Sequence, residues 1–307
     1  MINIQRSEAK HRFLYVILFL TGVISHLPDW YVICVQRNKI VQQLNLFRRN
    51  NISIEGKGKV PIIFAHGFIG DQTLWRHVAP DFYEHFQVIL FDYVGSGMSD
   101  MSFYDKVRYS RLEGYAEDLI EICHSLELSR PVFVAHSISG MIGLIAAIRG
   151  ILFSSMVMVA PSPRYINDIN YHGGFDMSEV QRKMKLMDSD YAAWARELAP
   201  VVINKPDAPE LADELIHKLM TTDHKVAINF ARATFFVDYR KDLLKFKTPT
   251  LILQCQQDIM APIEVGEYLH AHLDNCTLKQ LKAKGHFPQL SAPGELIESI
   301  KEYLLCD

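Results

Sequence analysis

A serine hydroxyl becomes a useful nucleophile only when a base takes its proton and a third group orients that base. Ser137 lies in Val134-Ala135-His136-Ser137-Ile138-Ser139-Gly140, where an apolar strand-like run gives way to a small-residue helix. A serine on such a sharp turn has its Oγ pushed out above the sheet, and the turn demands small residues two positions away on either side. The usual pattern is G-x-S-x-G. Ala135 and Ser139 occupy the flanking positions here, so the strict pattern is not met but the steric requirement is. Alone, this string is weak evidence. Two partners follow in the required order: Asp258 just past the run Thr250 to Cys255, and His286 in Lys284-Gly285-His286-Phe287-Pro288. Ser137, Asp258 and His286, each after a strand-like run, point to nucleophile, orienting acid and base.

That chemistry also needs two backbone N–H groups aimed at the developing negative charge. One is expected from Ile138, directly after the nucleophile. The other is expected from Phe68 in the loop Ala65-His66-Gly67-Phe68-Ile69-Gly70. His66 reads as a brace for that loop rather than a second base. Asp92, in Phe91-Asp92-x-x-Gly95-x-Gly97-x-Ser99, reads as a loop-fixing carboxylate, since Asp commonly bonds nearby turn backbone. His270 and His272 are two apart on an expected helix and face different ways, so they do not read as a metal pair.

The elements that must position these residues are short apolar runs alternating with helical stretches. The runs are Val60–Ala65, Val88–Phe91, Pro131–Ala135, Met156–Ala160 and Thr250–Cys255, with a shorter apolar stretch around Leu278–Leu281. They are continuous rather than alternating, as in strands buried on both faces of a parallel sheet. Ser53 to Gly58 reads as turn. Helical spacing is clear at Tyr115–Leu126, Met141–Ile148 and Leu296–Leu305. Together these predict an α/β fold, a mostly parallel sheet flanked by helices. Residues 161–247 break the rhythm and read as four helices, near Ser178–Met187, Tyr191–Val202, Pro209–Thr221 and Lys225–Phe236. This insertion would lie over the carboxyl edge of the sheet, where such sheets bind ligands. Its aromatics and methionines (Tyr171, Phe175, Met184, Met187, Trp194, Phe230, Phe235, Phe236) are expected to be mostly core, with a share lining a pocket. The expected domains are an N-terminal extension (1–45), a core in two parts (46–163 and 248–307) and a helical lid (164–247).

With 307 residues, 49% of them hydrophobic, the chain can bury about three-quarters of its unfolded surface, so it needs neither disulfide nor metal to fold. Its net charge of −3, from 32 basic and 35 acidic residues, provides no footprint for nucleic acid. Five widely spaced cysteines (Cys34, Cys123, Cys255, Cys276, Cys306) form no CxxC pair and read as free thiols in a reducing compartment, with a cytoplasmic location expected. Phe13 to Ile24, after Lys10, His11 and Arg12, is an apolar run too short to span a membrane comfortably. It matches the first two regions of a signal peptide but lacks a clear cleavage site. An extension outside the folded unit is the simpler reading; membrane or export contact through this segment is the other.

The segments GKGKVPIIFAHGF (56–68), VILFDYVGSGMSD (88–100), VAHSISGMIG (134–143), MVAPSPRYINDINYHGGF (158–175), LILQCQQDIMAP (251–262) and KGHFPQLSAP (284–293) resemble the α/β-hydrolase superfamily. Within it they closely resemble the RsbQ-like branch of bacterial stress-response regulators, to which plant strigolactone and karrikin receptors are similar. The resemblance covers about residues 46–307. It places the family triad on Ser137, Asp258 and His286, the oxyanion donors on Phe68 and Ile138, and a four-helix cap on the insertion. The family pattern has Gly before the elbow His, where this chain has Ala135. The resemblance implies a serine hydrolase of the carboxylic-ester type, without cofactor or metal. Its substrate would be a small hydrophobic ester- or lactone-like compound. The RsbQ-like branch further implies a PAS-domain phosphatase partner and a stress-response role. The alternative is a ligand sensor whose output is binding that partner, with slow or incidental hydrolysis. A dehalogenase-like enzyme is disfavoured, because that chemistry needs a carboxylate where Ser137 stands.

Overall fold

The structure, a computed structural model, describes residues 40–68 and 70–305. The chain divides into two compact units, Met1–Asn45 and Leu46–Asp307. Of the first, only residues 40–45 are described, and they are helical. The apolar run 13–24, Cys34 and Cys306 lie outside the described residues.

The second unit is built on a seven-stranded sheet of order β1-β3-β2-β4-β5-β6-β7. The strands are β1 (Ser53–Glu55), β2 (Val60–Ala65), β3 (Phe86–Leu90), β4 (Val132–His136), β5 (Ser155–Val159), β6 (Thr250–Gln257) and β7 (Cys276–Lys284). All neighbours pair in parallel except β1, which runs antiparallel to β3. β1 corrects the turn reading of Ser53 to Gly58. Three residues, with Ile54 partly exposed, are too few to show a periodicity. β7 is also longer than its apolar centre suggested. As an edge strand it alternates exposed and buried residues toward its end, so the apolar signal is diluted.

The continuous apolar runs have a direct structural reason. In β2, Ile62 and Phe64 face one side of the sheet while Ile63 and Ala65 face the other, and all four are fully buried. In β4, Val132 and Val134 join the first side, Phe133 and Ala135 the second. A strand with a core on each face cannot alternate apolar with polar residues.

α1 (Leu112–Ser125) and α2 (Ser139–Ile148) cover the second face. α1 buries Leu112, Tyr115, Ala116, Leu119, Ile122 and Cys123, a stripe at helical spacing. α2 is buried through its first eight residues, as its small apolar sequence predicts. Between β5 and β6 lie α3 (Met177–Ser189), α4 (Tyr191–Ile203), α5 (Glu210–Thr221) and α6 (His224–Phe235). Their ends follow local chemistry. Asp190 caps α4 by accepting from the Ala193 N–H at 2.9 Å, and Asp223 caps α6 through Lys225 and Val226. Asn204, with φ of 45°, ends α4 in the left-handed conformation that Asn tolerates. α7 (Ile263–His272) joins β6 to β7. α8 (Pro293–Leu305) closes the described chain against the first face through Leu296 and Ile300.

Candidate active site

The parallel strands all deliver their carboxyl ends to one edge of the sheet. Phe68 follows β2, Ser137 follows β4, Asp258 follows β6 and His286 follows β7. Ligand sites in open α/β sheets form at that edge.

Ser137 has a φ of 57°, the left-handed region that a Cβ makes costly. Two backbone bonds hold it there: the Ser137 N–H donates to Val159 O at 2.8 Å, and the Gly140 N–H donates to Ser137 O at 3.0 Å. β4 runs one residue further than expected, through His136, so the turn is made by Ser137 and Ile138 alone before α2 begins. The Ser139 hydroxyl donates to His66 O and accepts from Tyr93 OH, which explains how a serine fills a position normally kept for glycine.

The three residues expected to work together meet. His286 Nε2 lies 2.7 Å from Ser137 Oγ, and His286 Nδ1 lies 2.7 Å from Asp258 Oδ2. The other Asp258 oxygen accepts from the Met260 N–H at 2.8 Å, which fixes the carboxylate's orientation. Ser137, Asp258 and His286 are 4%, 6% and 4% exposed. In a site this buried, each hydrogen bond is electrostatically stronger than it would be in water.

The backbone of His286 is held at both ends. Its N–H donates to Val202 O at 2.6 Å, near the carboxyl end of α4, where helix carbonyls have no partner within the helix. Its C=O accepts from His136 Nε2 at 2.8 Å. Burial pushes the His136 pKa well below the ordinary histidine value, so His136 is a neutral donor. Gly285 makes the approach possible. Its φ is +80°, and a Cβ there would lie 2.3 Å from Ile203 O.

The loop after β2 lies at the same edge of the sheet. A Cβ on Gly67 would come within 3.0 Å of Ser137 Cβ, so the loop backbone passes directly beside Ser137. Phe68, next in sequence, lines the same cavity as Ser137, and Ile138 follows Ser137 at the start of the turn into α2. His66 is a brace. Its Nε2 accepts from the Tyr93 N–H at 3.0 Å, which leaves the proton on Nδ1 to donate to Gly67 O at 2.8 Å. Burial lowers its pKa, although nearby Asp92 opposes this. Asp92 accepts from the Gln72 and Met98 N–H groups and from Asn51 Nδ2, each at 2.8 Å, tying three loops together.

Ser137 and His286 open into a cavity of about 30 Å³, lined by apolar side chains that include Leu198, Val202, Leu215, Leu219, Phe235 and Met260. Of the insertion aromatics and methionines, Phe235 lines this cavity, and Phe175, Met184, Met187 and Trp194 line a neighbouring one. Tyr171 and Phe230 are buried in the core, while Phe236 is about half exposed.

Tyr165 was not foreseen. Its hydroxyl lies 3.3 Å from Ser137 Oγ in the buried site. Burial pushes its phenol well above the ordinary value despite that bond, so it stays protonated and donates to Oγ, whose own proton points to His286. Tyr165 sits in a loop with no periodicity, so no sequence signal marks it. The His136 contact, also unforeseen, joins residues 150 apart.

His270 and His272 do not converge. His272 stacks on Tyr268 with ring centroids 3.9 Å apart and bonds Tyr268 O. Among the described residues there is no group of three or more His, Cys, Asp or Glu placed to hold a metal, and no helix long and apolar enough to cross a membrane.

A family model described as alpha/beta hydrolase fold matches residues 60–293. The chain is 35% identical over 266 residues to the strigolactone esterase D14 of Arabidopsis thaliana, covering 86% of this chain and 99% of that protein. It is 35% identical to karrikin insensitive 2 receptor CA of Petunia hybrida, covering 83% and 95%. The solved structure of a hydrolase from Oleispira antarctica superposes with a TM-score of 0.83 at 39% identity, covering 86% of this chain and 98% of that one.

Proposed function

The chain belongs to the alpha/beta hydrolase fold family, and from that premise we propose that it is a serine hydrolase cleaving small apolar esters or lactones through an acyl-enzyme on Ser137. The observation that carries this reading is the relay of two 2.7 Å contacts from Ser137 through His286 to Asp258, opening into an apolar cavity. Ser137 Oγ attacks the acyl carbon while His286 Nε2 takes its proton. Asp258 holds the Nδ1–H tautomer and stabilises the imidazolium. The carbonyl oxygen, now negative, accepts from the Phe68 and Ile138 N–H groups, each worth about 3 kcal/mol at the transition state. Collapse expels the alkoxide, which takes the proton from His286. Water then attacks the acyl carbon with His286 as base, and the acid leaves as Ser137 regains its proton. In a lactone the alkoxide stays tethered and the product is a hydroxy acid.

Turnover of p-nitrophenyl acetate and butyrate by wild type and Ser137→Ala tests this. The variant should lose about 10⁴-fold or more in kcat; equal rates would overturn the assignment.

A second reading draws on the receptor name borne by one of the relatives. In it the chain is a ligand sensor with slow turnover, and the four insertion helices are a lid that presents the signal. A phosphatase carrying a PAS domain is the partner class that the RsbQ-like resemblance suggests, with a stress response as the output. Ligand-dependent co-elution with such a phosphatase would support this reading. Fast general esterase activity with no ligand-dependent complex would count against it.

A further inference from the structure

Tyr165 is fully buried, lines the Ser137 cavity, and meets Phe235 edge to face with ring centroids 5.4 Å apart. Burying a hydroxyl is costly unless it finds a partner. Among the described residues, the hydrogen-bond partner of this hydroxyl is Ser137 Oγ, at 3.3 Å. A phenylalanine would fill the same space with no hydroxyl to desolvate. What the hydroxyl adds is a donor aimed at Oγ.

The loop that carries Tyr165 has no regular structure, yet its backbone is tied on both sides of the tyrosine. Arg164 O accepts from Ser162 Oγ and from Tyr171 OH, each at 2.7 Å, and Arg164 Nε donates to Ile166 O at 2.8 Å. Tyr165 O accepts from the Phe175 N–H at 3.1 Å. A Cβ on Gly173 would lie 2.7 Å from Tyr165 O, so that segment passes hard against the tyrosine backbone. The donor is therefore in place before any reaction begins, and a preorganised donor needs no rearrangement when charge develops. Its 3.3 Å contact is long for two oxygens. Hydrogen bonds of this kind tighten as the reacting atom gains charge.

We propose that the Tyr165 hydroxyl is a catalytic donor that speeds deacylation and leaves acylation nearly unchanged, by bonding Ser137 Oγ when Oγ is the leaving atom. The inference rests on the serine-hydrolase reading for its chemistry. Only a contact stronger in the transition state than in the state before it accelerates a step. Before acylation the contact to Oγ already exists, so it favours the resting serine about as much as the attack. In the acyl-enzyme Oγ is an ester oxygen, a weak acceptor. Water then bonds the acyl carbon and gives a proton to His286 Nε2. As the tetrahedral intermediate collapses, the bond from carbon to Oγ breaks, its electron pair goes to Oγ, and the proton passes from Nε2 to Oγ. Charge gathers on Oγ during that collapse, and there the tyrosine bond is strongest.

The test compares wild type with Tyr165→Phe, which keeps the ring, on p-nitrophenyl acetate. Acid-quenched samples taken at steady state and weighed as intact protein give the amount of enzyme acetylated on Ser137. Turnover divided by that amount is the deacylation rate constant. This quotient counts acylated molecules only, so an unfolded share of the variant leaves it unchanged. Acylation is read as kcat/KM per site titrated with a p-nitrophenyl phosphonate. Tyr165→Phe should lower the deacylation constant about tenfold, the worth of one hydrogen bond to a charged atom. Its kcat/KM should stay within about twofold of wild type, so the acylated fraction rises and KM falls with kcat. An unchanged deacylation constant overturns the role. So does a kcat/KM that falls as far as the deacylation constant, because the hydroxyl would then merely position Oγ. Ser137→Ala separates this from the serine-hydrolase reading. Wild-type turnover in Ser137→Ala, with no acetyl on Ser137 of the wild type, overturns that reading and the tyrosine role together. An inactive Ser137→Ala beside an unchanged deacylation constant in Tyr165→Phe overturns the tyrosine role alone.

Discussion

Ser137 is held where a side chain costs stability. A left-handed φ with a Cβ is unfavourable by about 1–2 kcal/mol, and the bond to Val159 O keeps it there. Such strain clusters at functional sites. Ser137→Ala removes the candidate nucleophile and keeps the strain, whereas Ser137→Gly removes both. Glycine also gives the unfolded chain more freedom, which offsets part of the gain. Ser137→Gly should therefore be inactive yet more stable than Ser137→Ala by about 0.5 kcal/mol. Urea denaturation of the two variants checks this, and a less stable glycine variant would show that the turn carries no net strain.

Among the elements, α4 and α5 do more than cover the cavity. α4 reaches the candidate base through Val202 O and leaves room only for a glycine at 285. Gly285→Ala would place a Cβ 2.3 Å from Ile203 O at a φ of +80°. The expected cost is about 2–3 kcal/mol of stability, with esterase kcat falling far more than KM rises, since the imidazole loses its position. Wild-type-like kcat in a folded variant would contradict this.

α5 is tied to the loop that carries Phe68. Lys218 Nζ lies 2.7 Å from Asp71 Oδ2 and 2.6 Å from Thr73 Oγ1, and Arg76 makes a two-pronged pair with Glu214 at 2.7 and 2.8 Å. Glu214 and Lys218 thus face the core loop, while Leu215 and Leu219 face the cavity. Burial pulls the Asp71 carboxyl up, but its bonds to Lys218 and Thr73 outweigh this and leave it below the usual value. A depressed carboxylate adds stability that is complete above the unfolded pKa and is lost as pH falls through the folded one. Lys218→Met should lower stability by about 1 kcal/mol at neutral pH. The gap to wild type should close as pH drops below about 4. Thermal melts of both proteins from pH 7 to pH 3 check the sign; a gap that widens in acid would contradict it.

In the molecule as a whole, the sheet separates two cores, and each contains a buried thiol. Cys123 on α1 belongs to the core on one face, and Cys255 on β6 to the core on the other. Burial pushes the Cys123 thiol up to about 12 and the Cys255 thiol well above its ordinary value. Neither supplies the thiolate that alkylation needs until its core opens. If the sheet makes the two faces unfold together, both should react with iodoacetamide at one common rate across a urea series. Peptide mapping by mass spectrometry reads this directly. Cys255 reacting well ahead of Cys123 would mean that the faces open separately.

The local decisions were readable in the chain. Buried strands must be apolar on both faces, so Ile62–Ala65 and Val132–Ala135 announced a parallel sheet. Order and placement after strand-like runs singled out Ser137, Asp258 and His286 as candidates, and the fold brings the three together. β1 was not, because three residues carry no period. Nor were the contacts that couple distant segments. Asp71 and Lys218 are 147 residues apart, and His136 and His286 are 150 apart. Local spacing records which residues share a strand or a helix face. It does not record which carbonyl, ammonium or ring another segment will bring alongside. Only the folded chain decided that Val202 and His136 clamp the backbone of His286 and that Tyr165 faces Ser137, because each depends on packing between elements that are remote in sequence.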